Sequence, residues 1–153
     1  MYWRLGGAYK NNASNNNKMA FRRVVNQGPP PGLLAFDGAL AVGWCQLTPR
    51  SALPWMDRAW RLKRVDEIPV WSLSCLYVRI GYRKHGVTSR LIQAALRSAK
   101  RARAPALEAY PLDAGKSPSA SGTGYRSTFA RAGFKTVACR TPARPIMRYD
   151  FSA

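Results

Sequence analysis

Between an apolar run at 70–80 and a helical pattern that begins at residue 86 lies the stretch Arg83-Lys84-His85-Gly86-Val87-Thr88-Ser89. A strand that passes through a short polar, glycine-containing loop into a helix leaves the first N–H groups of that helix without intrahelical partners. Those donors, the positive end of the helix dipole and a glycine that allows close approach make a cradle for an anion such as phosphate. Arg83 and Lys84 add two cations to it. The plainer alternative is a basic strand-to-helix turn in which Gly86 serves geometry alone.

Three further groups could take part in proton transfer. Glu108 and Tyr110 alternate onto one face of the strand read at 106–111, opposite Leu107 and Ala109. With only seven Asp and Glu in 153 residues, a carboxylate inside a strand calls for a role, or for an ion pair with one of the many arginines. Tyr125 opens a short helical stretch, where it could equally be a packing residue. His85 is the single histidine, a residue type suited to acid–base work, though a place in an exposed loop is its plainer reading. Trp55, Met56 and Trp60 could line an acceptor pocket, and Trp71 is expected in the core.

These residues need elements to hold them. Residues 1–17 end in an asparagine-rich tract that favours turns and reads as loop. Phe21, Val24 and Val25 recur at helical spacing over 18–26, and Gly28-Pro29-Pro30-Pro31-Gly32 stops the pattern. Two apolar runs over 33–50 are joined by Asp37-Gly38, a hairpin signal of the type I′ kind. Residues 51–69 read as a short helix or ordered loop closed by prolines. The run at 70–80 suits a central strand buried on both faces. From Gly86 the period becomes helical, with Thr88, Leu91, Ile92, Ala95, Ala99 and Ala102 on one face and Arg90, Arg97 and Arg101 on the other; Pro105 marks its end. A strand at 106–111, a loop at 113–124, a helix at 125–132 stopped by Gly133, and strands at 134–139 and 144–151 complete the chain. The order predicts one α/β domain over 1–153, with a mixed sheet and a buried β-loop-α-β unit.

Composition bounds the partners. Lys and Arg number 25 against 7 acids, a formal charge of +18. An excess of that size points to a polyanionic neighbour, whether a phosphorylated ligand, nucleic acid or an acidic surface. The basic residues are spread through all segments, and no RNA-recognition or zinc pattern accompanies them. Cys45, Cys75 and Cys139 are odd in number, far apart and set in apolar runs, so they are expected reduced and buried, which implies a cytoplasmic protein. The start MYWRLGGAYKNN has no signal-peptide core and no stretch reaches eighteen apolar residues, so no membrane insertion is expected.

Taken in order, R-x-x-G-x-T at 83–88 after an apolar strand, then a helix, a strand, and F-x-x-x-G-F at 129–134, resemble the GNAT superfamily of acyl-CoA-dependent N-acetyltransferases from Gly32 to the C-terminus. Arg83 and Gly86 match the family pattern; Thr88 replaces its last small residue. The resemblance implies a mainly antiparallel mixed sheet and acetyl-CoA as cofactor, its pyrophosphate on Arg83–Ser89. It implies further that the backbone of Leu76, Tyr77 and Val78 pairs with the pantetheine arm and that Phe129 borders the cofactor.

The reaction it implies needs a neutral amine, attack on the thioester carbonyl and an acid for the departing thiolate. The family's usual Glu on the central strand is here Ser74, and its usual Tyr is here Phe129. Glu108 and Tyr110, on the strand that borders the acceptor cleft in the family, become the candidates for base, with Asp66 and Glu67 next. Tyr125, one turn before Phe129, becomes the candidate acid. A primary amine is the implied acceptor. The competing function is a basic nucleic-acid- or ribosome-binding module on the same fold, with transferase activity weak or lost. The family's leading strand is either formed by residues 1–4 or missing; a missing edge would invite pairing into a homodimer.

Overall fold

The computed structural model describes residues 2–113, 115 and 122–151. Its elements run α1 (Tyr2–Leu5), α2 (Gly7–Asn11), α3 (Ser14–Gln27), β1 (Gly32–Asp37), β2 (Leu40–Pro49), three short 3-10 turns between Arg50 and Leu62, β3 (Trp71–Val78), α4 (Val87–Arg101), β4 (Ala106–Ala109), α5 (Arg126–Arg131), β5 (Lys135–Ala138) and β6 (Ile146–Asp150). The six strands form one sheet in the order β1-β2-β3-β4-β6-β5. Only β3 and β4 pair in parallel; the other neighbours are antiparallel. The expected mixed, mainly antiparallel sheet with its β-loop-α-β unit is therefore what the chain forms.

Alternation decides what each face of the sheet holds. Leu107 and Ala109 turn toward α4 and join Cys45, Leu47, Leu73, Leu76, Leu91, Ile92, Ala95, Leu96, Ala99 and Phe129 in the main core. Each large apolar side chain buried there contributes roughly 1.5–3 kcal/mol. Gly43 on β2 lets the first turn of α4 sit tight on the sheet, since a Cβ there would lie 2.9 Å from Cγ1 of Val87. On the other face Tyr110 joins Leu53, Met56, Leu62 and Ile146, with Trp3 and Val65 packed against them. The ordered segment between β2 and β3 therefore covers that face.

Several expectations change. Residues 2–17 are mostly helical rather than loop, because Trp3 docks on the second cluster and Tyr2 makes edge contacts with Trp3 and Tyr9. The modest helix penalty of asparagine, a few tenths of a kcal/mol per residue, does not prevent this. No leading strand forms there, so β1 is an edge of the sheet. The hairpin turn is Gly38-Ala39 with Asp37 opposite Leu40, and only Gly38 has positive φ, the type II′ pattern rather than I′. β3 ends at Val78, leaving Ile80 exposed, and Ala102 lies beyond α4 on the surface. All three cysteines are free, but only Cys45 is buried; Cys75 is half-buried and Cys139 exposed. Burial pushes the Cys45 thiol up to about 11. Among the described residues no helix is long and apolar enough to cross a membrane.

Candidate functional site

The loop after β3 owes its shape to two left-handed residues, Lys84 (φ 65°) and Gly86 (φ 78°), that bracket His85. Such a conformation is open to glycine and costs a residue with a Cβ on the order of 1 kcal/mol or more, so its use at Lys84 marks a constrained site. Gly86 caps α4 with no side-chain hydrogen bond, and the first helical bond runs from the N–H of Arg90 to the carbonyl of Gly86 at 3.1 Å. The N–H groups of Val87, Thr88 and Ser89 therefore point out of the helix start. They open on a groove of about 630 Å³ lined by Leu76, Tyr77, Val78, Tyr82, Arg83, Lys84 and Gly86–Ser89, with Gly122, Gly124, Tyr125 and Thr128 opposite.

Charge and chemistry in this groove are one-sided. Arg83 and Lys84 line it and, among the described residues, no carboxylate does. Arg83 is steadied by its Nε, which donates to the carbonyl of Val78 at 3.2 Å. The groove suits a ligand with a phosphorylated end at the helix start and a narrower arm along β3. Tyr125, 46% exposed, stands on its far wall.

The inner end is closed by the chain itself. β3 and β4 pair only over Trp71–Leu73 with Leu107–Ala109. Beyond that they part, and residues 122–125 lie in the gap: the N–H of Leu76 donates to the carbonyl of Gly122 at 2.5 Å, and that of Leu112 to Gly124 at 2.9 Å. Ser74 sits at the bulge where Gln46 pairs with Cys75 and Leu47 with Leu73. Its hydroxyl is buried and has no hydrogen-bond partner among the described residues.

Glu108 and Tyr110 occupy a different place. Glu108 is 1% exposed; its Oε1 accepts from Arg148 Nη2 at 2.7 Å and its Oε2 from the Tyr110 hydroxyl at 3.0 Å. Arg50 Nη1 donates to Tyr110 at 2.8 Å, and Arg50 also bonds Asp57 and the carbonyl of Leu62. Arg148 reaches on to Asp66 at 2.7 Å. Hydrogen bonding to Arg148 holds the Asp66 carboxyl below its usual range. Burial, with the Glu108 charge beside it, pushes the Tyr110 phenol well above its ordinary value. Burial disfavours the charge on Arg148, but Asp66 and Glu108 outweigh that and raise its pKa. The ion-pair reading of Glu108 is the one this geometry realises.

Of the eleven residues expected at the cofactor, nine line the groove and two do not. His85 is exposed outside it, and Phe129 is wholly buried against Phe134, with ring centroids 5.1 Å apart, because the core takes up its apolar ring. Glu67 is surface, pairing only with Arg64 at 3.9 Å. Trp60 is exposed, and Trp55 stacks under Arg58. Sequence reasoning missed Tyr82, Thr128, Gly122 and Gly124 of the groove wall; the paired glycines were the available sign. Among the described residues no cluster could hold a metal ion.

No protein-family model matches the sequence, and no curated protein matches it. Solved structures do match by fold. The ribosomal-protein-alanine N-acetyltransferase from Brucella melitensis superposes with a TM-score of 0.61 at 16% identity, over 91% of this chain and 80% of that one. YncA from Salmonella typhimurium, with its cofactor acetyl-CoA, gives 0.61 at 12% identity over 92% and 76%. The NatC complex bound to Gag peptide and CoA gives 0.59 at 12% identity over 88% and 79%. The first of these is named as an acetyltransferase, and this chain has the GNAT fold.

Proposed function

We propose that this protein transfers an acetyl group from acetyl-CoA to a primary amine in a ternary complex. The observation that carries the reading is the groove: a helix start with three outward N–H groups, two cations and no carboxylate, continuous with the backbone of β3. Arg83, Lys84 and the N–H groups of Val87, Thr88 and Ser89 hold the pyrophosphate, and Tyr77 and Val78 offer backbone to the pantetheine arm. Bound acetyl-CoA supplies an activated acetyl thioester. The neutral amine nitrogen attacks the thioester carbonyl, the Tyr125 hydroxyl on the groove wall donates the proton taken up by the departing sulfur, and the proton shed by the nitrogen returns to the phenolate. Glu108 and Tyr110, buried and engaged with Arg148 and Arg50, hold the sheet and its covering segment together.

Calorimetric titration with acetyl-CoA tests the groove, and thiol release across a panel of amines tests the transfer. Saturable binding with acceptor-dependent thiol release is expected; absence of binding by the folded protein overturns the reading.

We also infer a homodimer paired along β1. This strand has a neighbour on one side only, and Leu34 and Phe36 are 55% and 59% exposed on it. An open, apolar edge is a template for pairing. Light scattering at micromolar concentration should give twice the chain mass, and Leu34→Lys should return the chain mass.

A further inference from the structure

The charges of this protein are sorted by face. Asp57, Asp66, Glu67 and Glu108, four of the seven acids, belong to the side covered by the segment between β2 and β3, where they pair with Arg50, Arg64 and Arg148. Helix α4, on the opposite side of the sheet, contains no acid at all. Its apolar residues Leu91, Ile92, Ala95, Leu96 and Ala99 are buried, and Arg90, Arg97, Lys100 and Arg101 are exposed. At 100° per residue these four fall within one arc of about 100° facing away from the core. The arginines Arg90, Arg97 and Arg101 follow one line for about 16 Å along the helix. None of them makes an ion pair among the described residues.

We propose that the outer face of α4 binds the phosphate backbone of nucleic acid. Uncompensated like charges in a row repel one another, and a polyanion relieves that repulsion while releasing its own counterions. Arginine dominates the row, and its planar fork matches phosphate oxygens two at a time. A lipid surface fits less well, because the apolar side of α4 is already buried in the core and has nothing to insert. An acidic protein fits less well, because among the described residues α4 exposes no large apolar side chain to anchor it. The surface is separate from the groove, whose lining stops at Ser89 on this helix. An acetyltransferase with this face would be held on a nucleic acid or ribonucleoprotein while its groove works.

The test compares the wild-type protein with Arg97→Gln/Lys100→Gln/Arg101→Gln. Glutamine removes the charge without placing a carboxylate at the helix C-terminus, where the dipole would penalise it. Fluorescence polarisation follows a labelled 30-nucleotide RNA and a DNA duplex of the same sequence from 50 to 200 mM salt. Wild type is expected to bind with an affinity that falls steeply with salt. The triple variant should bind at least about tenfold more weakly, with a logarithmic salt slope shallower by about 2 to 3, the loss of three phosphate contacts. Acetyl-CoA binding and the thermal midpoint should stay unchanged, which separates this result from any failure of the groove. No binding to either nucleic acid at 100 mM salt, or a slope the triple variant leaves intact, overturns the proposal. So does preferential binding of polyglutamate or of phosphatidylserine vesicles.

Discussion

Two polar regions lie within a few residues of each other along the central strands, and they treat charge in opposite ways. Around Glu108 every carboxylate oxygen has an arginine or a phenol, and the whole set is shut beneath the segment between β2 and β3. At the end of β3, Lys84 and the N–H groups of α4 open on a groove that no carboxylate lines among the described residues. A group that is buried must be paired, whereas a donor left open at the surface can wait for a ligand. Pairing therefore sorts structural charge from functional charge more reliably than residue type does.

The comparison breaks most visibly if Glu108 is removed. Glu108→Ala leaves Arg148 and Arg50 buried without their shared partner, and a loss of about 3–5 kcal/mol is expected in denaturant titration. Glu108→Gln, which keeps hydrogen bonds, should lose less. A Glu108→Ala protein of wild-type stability that had lost only its turnover would return this residue to catalysis.

Tyr125→Phe is the matching test in the groove. It should lower kcat by about 100-fold, or about 2.7 kcal/mol, with stability and acetyl-CoA affinity nearly unchanged. Gly86→Asp sets a negative charge beside the three free N–H groups. Acetyl-CoA affinity should fall at least about tenfold, worth about 1.4 kcal/mol; unchanged affinity in the folded variant contradicts the placement of the pyrophosphate.

The smallest effect concerns acid. Asp66 and Asp57 both have lowered pKa values: Asp66 chiefly through its hydrogen bond from Arg148, while at Asp57 burial favours the neutral acid but Arg50 and Arg64 outweigh it. Groups lowered on folding contribute stability above their unfolded pKa, and the contribution disappears as pH falls through the folded value. Stability should be level above about pH 5 and decline below about pH 4. Asp66→Asn should flatten part of that decline in denaturant titrations at pH 5 and pH 3.

The sequence reveals what is contiguous. Strand, loop and helix at 70–101 follow one another, so their periodicity and the glycine between them place the groove directly. The Glu108 network is not contiguous: Arg50 lies 58 residues before it and Arg148 40 residues after, and either was one arginine among many. Only the sheet register, which sets Glu108 beside Arg148, makes the choice. The N-terminal helices were hidden for a similar reason. Local preference reads the asparagines as turns, and the docking of Trp3 on a cluster built from residues 53–146 has no local sign.

The peptide of Gly122 has a consequence for kinetics. It already receives the N–H of Leu76 at the inner end of the groove, so a pantetheine arm that sought this donor would meet a resident rival. Entry would then be an exchange of near-equivalent bonds, adding little affinity at that point. It would also proceed no faster than the 122–125 segment lets go, so the observed association rate would level off at high acetyl-CoA instead of rising in proportion to it.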